Sequence, residues 1–200
     1  MFKGYQILRE ALTDRELDSI MRYLAIMKNM GALKGNADGH SAHMYYSIPY
    51  FEALLSSFAL TVSEAVGEEV YPCYSFLWNY KKGHEVPKHR DRDAVDYIVS
   101  FNINNKGEDD WPIYIEGERV DLRNKEALIL DGKALVHWRE ACPYPNRLQL
   151  VLCYTRRKCF RFDKRQHLGF DPMPEVVTAP FTLNLSIDDT VITEMANDEV

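Results

Sequence analysis

The sequence predicts an α+β domain in which two N-terminal helices back one face of an antiparallel sandwich or jelly roll. Three observations lead there. The first third carries two apolar stripes at helical spacing, and everything beyond Val70 breaks into short apolar runs separated by turn signals. A chain of 200 residues is long enough for one substantial core and short for two.

The first helix opens at Thr13, where Glu16 three residues on completes a capping-box pattern. Leu17, Ile20, Met21, Leu24 and Met27 then recur on one face, and Gly31 is the stop. A second helix is expected from Tyr50 to Val66, with Phe51, Leu54, Leu55, Phe58 and Val62 as its stripe and Gly67 ending it. Both stripes read as packing faces. The stretch between them, Gly31 to Ser47, contains Gly35, Gly39, His40, His43, Tyr45 and Tyr46. It reads as a loop, either a plain connector or a substrate-facing lid.

Strands are expected at Val70 to Tyr80, Val95 to Ile103, Pro112 to Ile115, Ala127 to Leu130 and Leu148 to Tyr154. Asn105-Lys106-Gly107, Glu116-Gly117-Glu118 and Asp131-Gly132 supply the turns. The expected organisation is a single domain over 1–200: a helical part over 1–68, a jelly-roll core over 69–165 and an extension over 166–200.

A net charge of -6 argues against nucleic acid or an anionic membrane as the main partner. No apolar run is long enough to span a bilayer, and the first residues lack a signal-peptide apolar region. Cys73, Cys142, Cys153 and Cys159 form no CxxC pair and no zinc-like spacing, so they read as reduced, mostly buried thiols of a cytoplasmic protein.

Chemistry concentrates in two segments. His89-Arg90-Asp91 places an imidazole and a carboxylate on one face if the chain is extended there, because the strand period is two. His137 lies 46 residues beyond Asp91, after the run Ala127 to Leu130, and facing sheets of a jelly roll can bring it onto the pair. Two imidazoles and one carboxylate leave coordination positions open, which favours Fe(II) in an oxygenase over a closed structural zinc. Arg147 follows ten residues later and opens the last expected strand, so its guanidinium is aimed at the same cavity. A guanidinium binds carboxylates in a two-pronged way and keeps its charge at every relevant pH.

This arrangement resembles the Fe(II)/2-oxoglutarate-dependent oxygenases, in their prolyl-4-hydroxylase-like branch, over roughly Tyr74 to Tyr154. Tyr80 and Gly83 before the His-x-Asp pair, and the Asp131-Gly132 turn before the distal histidine, belong to the likeness. The resemblance implies a double-stranded β-helix with iron held by His89, Asp91 and His137 and with 2-oxoglutarate anchored by Arg147. Tyr80 or Tyr74 would offer the co-substrate a hydroxyl, and O2 would be the oxidant. A hydroxylase acting on a small molecule or an amino-acid residue is the implied activity. The chain departs from many members at Arg-x-Ser: Leu148-Gln149 follows Arg147 here, so the second hydrogen bond to the distal carboxylate must come from elsewhere.

The remaining candidates have plainer readings. His84 falls on the face opposite His89 if the strand is continuous, facing solvent or supporting a ligand. Trp78, Trp111 and Trp138 are core or cavity-wall residues, with Trp138 pointing away from the metal. Arg139 either pairs with Glu140 in solvent or, sharing the parity of His137, reaches the cavity mouth to meet substrate. His40 and His43 are loop polar residues, and His167 has no assignment. The basic run Arg156, Arg157, Lys158, Arg161, Lys164 and Arg165 reads as a solvated strand edge. Two other functions fit a jelly roll: a cupin-like metal dioxygenase that takes no 2-oxoacid, for which Arg147 has no purpose, and a non-catalytic binding protein, which would take up no Fe(II).

Overall fold

The central strands of the larger sheet alternate faces between two apolar surfaces, and the chain satisfies both by stacking three layers. The computed structural model describes residues 2–33, 36–37, 43–103 and 111–157. The elements are β1 (Tyr5–Leu8), α1 (Asp14–Asn29), β2 (Asn36–Ala37), β3 (His43–Tyr46), α2 (Pro49–Val66), β4 (Tyr71–Tyr80), β5 (Val86–His89), β6 (Tyr97–Asn102), β7 (Ile113–Ile115), β8 (Glu118–Val120), β9 (Ala127–Leu130), β10 (His137–Arg139) and β11 (Arg147–Thr155). Strands pair antiparallel in a seven-stranded sheet ordered β1-β9-β6-β11-β4-β3-β2 and a four-stranded sheet ordered β5-β10-β7-β8. This is the α+β double-stranded β-helix that the sequence implies, with both helices on the outer face of the larger sheet.

Parity along the central strand divides the two cores. Leu150, Leu152 and Tyr154 of β11 join Val99 and Phe101 of β6 in packing against Ile20 and Leu24 of α1 and Phe51, Leu55 and Val62 of α2. Two polar contacts fix the docking of α2. Glu52 Oε1 accepts from the Ser75 backbone at 3.1 Å and its hydroxyl at 2.8 Å, and the Tyr154 hydroxyl donates to Leu55 O at 2.8 Å. Between the sheets, Ile98, Ile113, Ile115, Val120, Leu128 and Leu130 form the second core. Cys73, Cys142 and Cys153 are buried free thiols, and Cys159 lies outside the described residues.

The capping box at Thr13 forms in both directions, and Gly67 caps α2 in the left-handed conformation at φ 80. The N-terminal third differs from expectation in contributing three strands. β1 pairs with β9 at one edge, and β3 runs beside β4 with Tyr46 opposite Phe76 and Met44 opposite Trp78. The segment expected as a loop before Ser47 is therefore partly an edge of the large sheet. His40 and the Asn105-Lys106-Gly107 turn lie outside the described residues, as do Lys158 to Arg165, His167 and the segment 166–200.

Candidate metal centre

His89 and His137 sit directly opposite each other on β5 and β10. Their ring centroids are 4.3 Å apart. Asp91 joins them from outside the strand, since β5 ends at His89. The expected strand alternation therefore does not deliver the carboxylate. The turn before β10 does, through the Asp91 N–H donating to Gly132 O at 2.8 Å. Asp91 Oδ1 then lies 3.8 Å from His89 Nε2 and 3.9 Å from His137 Nε2. One donor atom from each of the three residues falls within 4.8 Å of the others, and among the described residues no fourth ligand joins them.

The outer contacts prepare these groups for a cation. His89 Nδ1 is 2.8 Å from Pro87 O and His137 Nδ1 is 3.1 Å from Leu135 O. Each backbone carbonyl accepts a hydrogen bond from Nδ1–H, which leaves the Nε2 lone pair facing the other candidate ligands. Burial pushes the Asp91 carboxyl pKa up, opposed by the nearby His137, His89 and Arg92 charges. Burial also pushes His137 down, favouring the neutral imidazole that a metal requires. Asp91 Oδ2 is buried and makes no hydrogen bond. An orphaned carboxylate oxygen beside two oriented imidazoles fits a divalent cation.

A side chain at position 132 would displace the Asp91 carboxylate. A Cβ built there would lie 1.8 Å from Asp91 Oδ2. The sequence marked Asp131-Gly132 as a turn, and the close approach to a ligand is what that signal lacked.

The three residues stand at the wall of a cavity of about 500 Å³ between the sheets. Tyr74, Phe76, Trp78 and Tyr80 line it along β4, and Gln149 and Val151 line it along β11. Burial keeps the Tyr74 phenol protonated, so its hydroxyl is available as a donor. Arg147 is 1% exposed and opposite Tyr80 in register. It shares the parity of the cavity-lining Gln149 and packs 5.3 Å from the Tyr144 ring. The cavity wall on β11 begins at Gln149, two residues beyond Arg147.

Three expectations need correction. Arg139 is not solvated: it lines the cavity at 6% exposure, donates through Nη1 to Trp111 O and stacks 4.8 Å from the Trp111 ring. His84 is buried in the turn before β5, 4.9 Å from the Tyr80 ring, because Gly83 reverses the chain at φ 83 and the strand is not continuous back to it. His43 is a strand residue opposite Asn79. Arg156 is exposed, as expected of the basic run, and bridges Glu68, Asp96 and Asp131. Trp138 does turn from the ligands, stacking on Tyr114 at 5.4 Å with Lys88 Nζ 4.3 Å from its ring.

No protein-family model and no curated protein matches the chain. Solved structures do. A prolyl-4-hydroxylase from Pseudomonas putida aligns over 77% of this chain and 93% of its own at 13% identity and a TM-score of 0.60. HygX from Streptomyces hygroscopicus, solved with nickel, 2-oxoglutarate and hygromycin B, covers 80% and 86% at 12% identity and a TM-score of 0.64. The non-haem α-ketoglutarate-dependent carbocyclase SnoK of nogalamycin biosynthesis covers 88% and 90% at 11% identity and a TM-score of 0.67. The chain thus has the fold of the 2-oxoglutarate- and Fe(II)-dependent oxygenases, prolyl-4-hydroxylase among them.

Proposed function

We propose that this protein is an Fe(II)/2-oxoglutarate-dependent dioxygenase that hydroxylates a C–H bond of a small molecule or an amino-acid residue. The observation that carries the reading is the convergence of two Nε2 atoms and one carboxylate within 4.8 Å, each imidazole fixed by a backbone carbonyl. His89, Asp91 and His137 would hold Fe(II) on one side and leave its other positions to ligands. When bound, iron with 2-oxoglutarate supplies the oxidising chemistry: O2 is consumed, one oxygen enters the substrate, and the other leaves in succinate as CO2 is released.

The chain's own residues supply placement and dryness. Arg147, buried and on the strand face of the cavity-lining Gln149, would bind the distal carboxylate of the co-substrate, and removal from water strengthens that pair. Tyr74 and Tyr80 line the same cavity, and the protonated Tyr74 hydroxyl would donate to an oxygen of the bound acid. Phe76 and Trp78 extend an apolar wall that keeps bulk water from the reacting centre. Likeness to HygX and SnoK supports a small-molecule substrate presented on that wall.

The test is an anaerobic titration of the Fe(II)-loaded protein with 2-oxoglutarate, read by the weak visible charge-transfer band of the chelate. Wild type should show the band, His137→Ala should lose it, and Arg147→Ala should need at least tenfold more 2-oxoglutarate. Iron uptake with no band would point to a cupin-like enzyme instead. No iron uptake would leave only a binding protein.

A further inference from the structure

A carboxylate has two oxygens and four lone-pair sites, so one guanidinium does not exhaust it. The position two residues beyond Arg147 is Gln149, on the cavity face, and its amide is already engaged. Nε2 donates to Ser100 Oγ at 2.8 Å and to Phe101 O at 2.8 Å. Both donors are spent, and only the acceptor Oε1, buried and without a hydrogen bond, is left over. Gln149 therefore has nothing to donate to a carboxylate.

Arg139 has. It lines the cavity on β10, two residues and hence about 6.6 Å of strand from His137. Its Nη1 is held by Trp111 O, and among the described residues no other acceptor engages the guanidinium. The Trp111 ring beneath it lies 5.0 Å from the Tyr80 ring, and Tyr80 is the register partner of Arg147. Tyr80, Trp111 and Tyr144 belong to one cluster, so the two guanidiniums pack on the same group of rings, Arg139 on Trp111 and Arg147 on Tyr144.

We propose that Arg139 and Arg147 form a paired anion site that grips the distal carboxylate of a dicarboxylic 2-oxoacid from two sides. This deepens the function proposed above and rests on it. Two buried like charges oppose each other when the site is empty. A carboxylate between them relieves that opposition, and the pair gives dicarboxylates a larger advantage over monocarboxylates than one arginine could.

The experiment compares 2-oxoglutarate with 2-oxobutyrate, which keeps the keto-acid head and lacks the second carboxylate. Both are titrated anaerobically into the Fe(II)-loaded wild type, Arg139→Gln, Arg139→Lys and Arg147→Ala, with affinities read from the charge-transfer band and by calorimetry. Arg139→Gln should weaken 2-oxoglutarate at least tenfold while 2-oxobutyrate stays within twofold, and Arg139→Lys should recover part of the loss. Equal weakening of both acids in Arg139→Gln would mean that Arg139 only packs against Trp111, and would overturn the pair. So would no weakening of either. If Arg147→Ala alone loses 2-oxoglutarate, the single-anchor reading survives and the pair does not. A wild type that binds neither acid removes the co-substrate reading itself, and the pair with it.

Discussion

At the scale of single residues, the candidate site depends on how closely one backbone approaches one side chain. Gly132→Ala would drive a methyl group into Asp91 Oδ2, 1.8 Å from where Cβ must sit. The expected outcome is at least tenfold weaker Fe(II) binding by calorimetry, with the melting temperature little changed because Asp91 can swing away. Asp91→Asn should act oppositely on the apoprotein. Burial raises the Asp91 pKa in the fold, so ionising it costs stability once pH passes the unfolded value and wholly so above the folded one. At pH 8 the metal-free Asn variant should therefore melt above wild type, and the gap should close as pH falls below the ordinary aspartate range of about 4. A melting-temperature series across that window checks it, and a gap independent of pH would disprove it. The three candidate ligands were legible because residue type and order carry them. The means of bringing Asp91 in was not, since a contact between the Asp91 backbone and Gly132 leaves no trace in spacing. Arg139 was left between solvent and cavity for a related reason: parity fixes which face a side chain takes and says nothing of depth. Its depth follows from Trp111, 28 residues away.

At the scale of elements, helices were easier to read than strands. α1 and α2 carry their own caps and stripes, so local sequence settles them. β1 and β3 have only four residues each, and their partners, β9 and β4, lie far along the chain. Nothing local favours strand over loop at such lengths; pairing decides. β5 shows the same dependence, with His89 opposite His137 but Val86 opposite Arg139, so the register slips by one residue at Pro87 and Lys88. An irregularity there re-aims the side chains next to the ligands. The helix layer supplies support without chemistry. Leu55→Ala, at a fully buried position of α2, should cost about 2–5 kcal/mol in denaturant unfolding. Fe(II) affinity of the folded fraction should stay the same, because Leu55 packs on the sheet face away from the cavity.

At the scale of the whole molecule, metal, co-substrate and fold share one equilibrium. Ligands that bind only the native state raise its stability by about 2.7 kcal/mol at a hundredfold excess over Kd. For a chain of this length that is roughly 5–10 °C in melting temperature. Fe(II) should produce such a rise in wild type and none in His137→Ala, and 2-oxoglutarate should add to it only when iron is present, as a thermal melt in each combination would show. The larger sheet sets a different kind of limit. β11 lies at its centre, between β6 and β4, yet it is the last of the described strands in the chain. During synthesis, β4 and β6 must therefore wait with unpaired edges until the chain has reached Thr155. Helices α1 and α2 emerge early, but the surface that buries their stripes is completed only by Leu150, Leu152 and Tyr154. A ribosome that stalls before codon 147 would release a chain with two adhesive strand edges and no sheet between them. The centre of the larger sheet is thus the final instalment of the described strands, and yield in a foreign host should depend on how quickly that stretch is translated and how well chaperones shield the gap.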